Sequence, residues 1–157
     1  MKHHFINLFQ YDDWANTQII SSLHSVLEPP EKAVSLISHI IAAQDLWLDR
    51  IVGKSDFNIS VWDSYSVQEC AVLSKQSSDN WIKYIRRTGE QHYNDLITYK
   101  NIKGIEYSTP LKDIFTHVVY HSTHHRGQIN SVLRENSIEP PEISYITYTR
   151  LTNEDIS

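Results

Sequence analysis

At 157 residues, with 40% hydrophobic and 21% charged residues and only four Gly and five Pro, the chain fits one folded domain spanning 1–157, which excludes a disordered or fibrous protein. A net charge of −5 without any basic run argues against a nucleic-acid partner. No run of about 18 apolar residues is present to suggest a membrane span.

The N-terminal segment turns polar and acidic by Asp12 and does not read as a signal peptide. The single cysteine, Cys70, allows no intrachain disulfide. Both features lead to the expectation of a cytoplasmic protein.

The first helix is expected from about His3 to Leu27, where Phe5, Leu8, Ala15, Ile19 and Leu23 recur at steps of three and four. Pro29-Pro30 ends it. A second helix runs from Glu31 to Gly53 on the stripe Ala33, Leu36, Ile37, Ile40, Trp47, Leu48 and Ile51, with Gly53 suited to the position just past the C-cap. Lys54 to Tyr65 reads as loop. The third helix opens at Ser66, where Glu69 completes a capping box, and continues to about Thr88.

Leu96–Lys100 and Ile105–Ser108 flank the turn Asn101–Gly104 and predict a small hairpin, which must pack on the helices to be stable. The fourth long helix is expected to start with Thr109 as N-cap and Pro110 at the first helical position, and to reach about Asn136. After Pro140-Pro141, Glu142 to Leu151 reads as a short terminal helix or extended arm. The expected fold is therefore all-α: a four-helix bundle with a small β-hairpin before the last long helix.

Nine histidines are many for this length, and four of them fall in the stretch HVVYHSTHHRGQI. With His117 at zero and about 100° per residue, His117, His121, His124 and His125 point to roughly 0°, 40°, −20° and 80°. The apolar residues of this helix, Leu111 to Leu133, lie between roughly 60° and 160°. His125 thus lies inside the core-facing arc and His121 at its edge, whereas His117 and His124 point outward.

Two inward imidazoles at i, i+4 suit either a pair of hydrogen-bonded core residues or two ligands of one metal ion, and a third ligand decides between them. His39, beside Leu36 and Ile40 on the second helix, is the candidate third ligand, because bundles build metal sites from facing helices. The remaining histidines, His3, His4, His24 and His92, read as surface residues.

Asp12 interrupts the apolar face of the first helix. The simpler expectation is a bond to a backbone amide or a tyrosine. The alternative is a partner that orients a ligating His; Asp12 is also the candidate catalytic carboxylate, with Tyr11 and Asn16 as the other candidate acid–base or orienting groups. Gly127, in mid-helix, suggests a close helix crossing or ligand access, and Arg126 a solvated charge or an ion-pair partner. Trp14, Trp47, Trp62 and Trp81 are expected in the core or lining a pocket. Cys70 is expected to be a buried helix residue.

With these residues in place, the sequence resembles the DinB/YfiT-like family of metalloenzymes. The resemblance rests on Tyr11-Asp12-Asp13-Trp14-Ala15-Asn16, on His39 with Trp47-Leu48-Asp49-Arg50-Ile51, on the Gly104 hairpin, on Pro140-Pro141 followed by Tyr145-Ile146-Thr147-Tyr148, and above all on the string from His117 to Gln128. It implies a four-helix bundle with long crossovers, an open metal site of His39, His121 and His125, and a homodimer. Related proteins include S-transferases that use a low-molecular-weight thiol, bacillithiol or mycothiol. Ser144 departs from relatives that carry Asp before the Tyr-Ile pair.

Three neutral imidazoles leave a position open for water or substrate, the arrangement of a catalytic site. Zn²⁺ or Ni²⁺ fits such a donor set, and Fe²⁺ or Mn²⁺ is compatible with it. No HExxH and no Gly-rich phosphate loop is present. Two functions follow as expectations. One is a metal-dependent thiol S-transferase or hydrolase acting on a small molecule; the other is a non-catalytic, metal-binding stress-response bundle.

Overall fold

The apolar stripes form four long helices in a computed structural model that describes residues 1–54, 61 and 64–154. They are α1 (Lys2–His24), α2 (Glu31–Ile51), α3 (Val67–Arg87) and α4 (Leu111–Glu135), and a shorter α5 (Tyr145–Glu154) follows. Between α3 and α4, β1 (Leu96–Lys100) and β2 (Glu106–Pro110) pair antiparallel, with Leu96 opposite Pro110 and Lys100 opposite Glu106. The expected bundle and hairpin are both present. Trp62 and most of the expected 54–65 loop lie outside the described residues.

Local chemistry sets most boundaries. At α3, the Ser66 hydroxyl accepts from the Glu69 amide at 3.2 Å while the Glu69 carboxylate accepts from the Ser66 amide at 2.8 Å, the reciprocal capping box expected there. Gly53, at φ 72°, closes α2: its amide donates to the Arg50 carbonyl and the Lys54 amide to the Asp49 carbonyl at 2.8 Å. α1 stops at His24, three residues short of the expected Leu27. Pro29 disfavours helix at the residue before it, and Leu27 is left exposed, with no burial to favour extending the helix.

The start of α4 differs from expectation. Thr109 belongs to β2, paired with Ile97, and Pro110 rather than Thr109 is the N-cap. The first helical amides need no side-chain cap here, because Leu111 donates to the Asp95 carbonyl (3.0 Å) and Lys112 to the Tyr93 carbonyl (2.9 Å). The segment that leads into β1 supplies the cap.

Within the bundle, α1 packs chiefly on α3 and α2 chiefly on α4. The core divides into an aliphatic half, including Ile19, Leu23, Ile37, Ile40, Ile129 and Leu133, and an aromatic half built on Phe5, Phe9, Trp81, Tyr93 and Phe115. α1 and α4 run from the aromatic half to the aliphatic half, and α2 and α3 run the other way. Consecutive helices α2 and α3 are thus parallel, the sense of a long crossover. Between the halves lies a buried polar layer with members from all four helices: Asp12 and Asn16, Gln44, Ser74 and Ser78, and Ser122 and Arg126.

Candidate metal centre

α2 and α4, packed against each other, bring His39, His121 and His125 together. One nitrogen from each ring lies within 4.8 Å of the others. His39 Nε2 is 3.1 Å from His121 Nε2, and the ring centroids are 4.7 Å apart for His39 and His125 and 4.5 Å for His121 and His125. Ligand nitrogens around a tetrahedral cation at about 2.0–2.1 Å would be ~3.3 Å apart, so the His39–His121 pair is already near that spacing.

Two of the rings are oriented from behind. His39 Nδ1–H donates to the Val61 carbonyl at 2.8 Å, and His125 Nδ1–H donates to Gln128 Oε1 at 2.7 Å. Each bond fixes the tautomer whose Nε2 carries a lone pair, as ligating histidines require. Burial, and then the neighbouring His125 and His39, push His121 down to about 3, and burial lowers His39 as well. Neutral, oriented imidazoles are what a divalent cation needs, and the donor set fits one.

His117 and His124 are exposed and lie outside this cluster, in the directions that the helical wheel gave them. His117 rests against Trp47, with ring centroids 5.1 Å apart. The rear partners of the cluster were not anticipated. Gln128, one turn after His125, was visible as an i, i+3 pair, but a backbone carbonyl reaching in at Val61 leaves no mark in a sequence.

Asp12 takes neither expected role. Its carboxylate bonds Arg126 Nη1 at 2.6 Å and Gln44 Nε2, and among the described residues it bonds to no backbone amide, tyrosine or histidine. Arg126 is not solvated but fully buried, and Nη1 also donates to Asn16 Oδ1 at 2.7 Å. Gln44 extends the network to the hydroxyl of Ser122, the neighbour of His121.

No close crossing occurs at Gly127, where a Cβ would meet nothing within 4 Å; the residue instead borders a cavity of about 580 Å³ on the other side of α4. Trp81 is core, Trp47 and Trp14 are half-buried, and Cys70 is buried beside Ser38 with its thiol pushed up by burial. At the C-terminal arm, Ser144 Oγ accepts from the Thr147 amide at 3.3 Å.

A helical bundle with three convergent imidazoles across α2 and α4 defines a protein able to hold a metal ion between helices. A model of the DinB family matches residues 1–156, and the chain belongs to the DinB family. It is similar to protein DinB of Bacillus subtilis (strain 168), 22% identical over 162 residues that cover 92% of this chain and 93% of that protein. It is also similar to the uncharacterized protein YizA of the same organism, 25% identical over 119 residues, 76% of this chain and 74% of that one. The crystal structure of a DinB-like protein from Bacillus cereus ATCC 10987 shares the fold, with a TM-score of 0.68 at 14% identity over 89% of this chain and 95% of that chain.

Proposed function

We propose that this protein is a metal-dependent enzyme acting on a small molecule, a thiol S-transferase or a hydrolase, with one divalent cation held by His39, His121 and His125. The observation that carries the reading is the convergence of three imidazole nitrogens within 4.8 Å, with two of the rings braced at Nδ1. When bound, the cation would supply Lewis acidity to a coordinated thiol or water. Zn²⁺ or Ni²⁺ suits the all-nitrogen donors best, with Fe²⁺ or Mn²⁺ as the other candidates.

The chain provides the remaining parts. Burial keeps His121 neutral, so it does not have to shed a proton to ligate near pH 7. A cavity of about 450 Å³ between α2 and α4 touches His125 and Gln128 and is lined by Lys32, Ser35 and Glu135, giving a small molecule room beside the cluster.

The second reading, a non-catalytic metal-binding stress-response bundle, has its own support: a cation at this place would tie α2 to α4 and act as a staple. Metal analysis and titration of tag-free protein test the shared site. One equivalent of metal is expected, lost in His39→Ala, His121→Ala and His125→Ala; normal binding by all three variants would overturn the site. A screen for metal-dependent consumption of a low-molecular-weight thiol with an electrophile then separates the readings. A blank screen together with a melting temperature that depends strongly on metal would favour the staple.

A further inference from the structure

Arg50, near the C-terminal end of α2, is 9% exposed. Among the described residues its guanidinium makes neither a hydrogen bond nor an ion pair, in contrast to buried Arg126 with its Asp12 and Asn16 partners. Buried charges are ordinarily paired. What Arg50 has instead is two aromatic faces: its guanidinium carbon lies 4.6 Å from the Trp47 ring centroid and 5.2 Å from that of Tyr99. The two rings stand at 71° to each other, so the guanidinium can lie flat on only one of them, and a cation held by ring faces keeps N–H donors for another group. Those donors are not among the buried side-chain atoms sealed from solvent without a partner, as Arg126 Nε is.

The location links this cation to the three-His cluster. Arg50 follows His39 by eleven residues, which puts the two about 20° apart around α2 and ~16 Å apart along it. α4 runs antiparallel to α2, so His117 lies at the Arg50 end, and the rings follow one another from His121 to His117 (5.9 Å) and from His117 to Trp47 (5.1 Å). Asp49, the nearest carboxylate in sequence, turns away to a separate cavity with Lys54, Lys83 and Arg87.

We propose that Arg50 is an oxyanion site, which binds a carboxylate or phosphate group of an elongated small molecule whose other end reaches the three-His cluster. The guanidinium fork offers two parallel donors to two oxygens of the anion, and the Trp47 and His117 rings lie between Arg50 and the cluster. Its use as a substrate anchor rests on the enzyme reading above; the anion site itself does not.

Titration of ¹⁵N-labelled full-length protein with succinate and with inorganic phosphate tests it, at constant ionic strength and with succinamide as the uncharged control. The expected result is a saturable shift of the Arg50 Nε–H and Trp47 indole signals with at least one anion, and none with succinamide; the tighter of the two identifies the oxyanion class. Arg50→Met, which keeps an apolar stem against the rings, should weaken binding at the Trp47 signal at least tenfold. If that variant does not fold, Arg50→Lys, which keeps the charge but loses the fork, should also weaken it.

His121→Ala should leave anion binding intact, which separates this site from any anion captured by a bound cation. Failure of both anions to saturate would overturn the proposal, as would equal binding of succinamide or undiminished binding by the Arg50 variant. Loss of the metal site with anion binding preserved would sink the enzyme reading and leave Arg50 as an anion site.

Discussion

Asp12 and Arg126 meet at 2.6 Å with both side chains removed from water. Burial raises the carboxyl pKa while the adjacent guanidinium and Gln44 pull it back. A pair of this kind adds little net stability over apolar residues, but removing one partner strands a buried charge. Asp12→Ala is therefore expected to cost about 3–5 kcal/mol in urea unfolding. Asp12→Leu combined with Arg126→Met should recover most of the loss. If the single variant unfolds like wild type, the pair is not what holds the layer together. In the sequence, Asp12 stood out as an intruder on an apolar face, but its partner lies 114 residues away. On the wheel, Arg126 falls at roughly 180°, just outside the apolar arc, where a solvated charge and a buried one look alike.

At the scale of elements, two residues, one inside α4 and one just past its end, are mismatched to their positions in opposite ways. Gly127 sits in the helix with open space around its missing side chain, so Gly127→Ala should stabilise the protein by about 1 kcal/mol through helix propensity. Ser137, at φ 59°, closes the same helix in the left-handed region, with its amide on the Arg134 carbonyl and the Ile138 amide on that of Leu133. Glycine suits that position, and Ser137→Gly should add roughly 1 kcal/mol. Each gain corresponds to about 2–4 °C in melting temperature, readable by calorimetry. A drop in stability for Gly127→Ala would show that the helix needs the glycine after all.

The same helix shows what a sequence displays and what it withholds. Its stripe, its inward His121 and His125, and the caps at Ser66 and Gly53 follow from local spacing. Its true start did not, because Thr109-Pro110 carries an N-cap pattern that is overridden when the hairpin pairs Thr109 and the segment before β1 lends the Tyr93 and Asp95 carbonyls. The outcome was set by tertiary pairing, which a local pattern cannot weigh against its own cap. The three-His cluster was legible because periodicity reports the direction of each side chain. The Val61 brace was not, because a backbone carbonyl is the same at every residue.

Taken as a whole molecule, the bundle places its polar layer between two apolar halves and sets the histidine cluster across α2 and α4, so folding and ionisation of the cluster are linked. An unfolded His titrates near 6.5, whereas in the folded chain His121 is pushed down to about 3, chiefly by burial. The proton therefore prefers the unfolded chain. The stabilising effect of a neutral His121 is complete above pH 6.5 and is lost progressively as the pH falls towards 3; burial lowers His39 in the same direction.

Metal-free protein should accordingly show a falling urea midpoint between pH 7 and pH 5, and His121→Gln should show a shallower fall. Comparing the two slopes cancels groups that titrate the other way, Asp12 among them. Metal acts from the opposite side, since a ligand that binds only the folded state adds about 2.7 kcal/mol at a hundredfold excess over Kd. Zn²⁺ at pH 7 should thus raise the midpoint of wild type and leave His121→Gln nearly unmoved. Parallel pH slopes for the two proteins, or an equal response to Zn²⁺, would mean that the cluster is neither the acid-sensitive element nor the metal site.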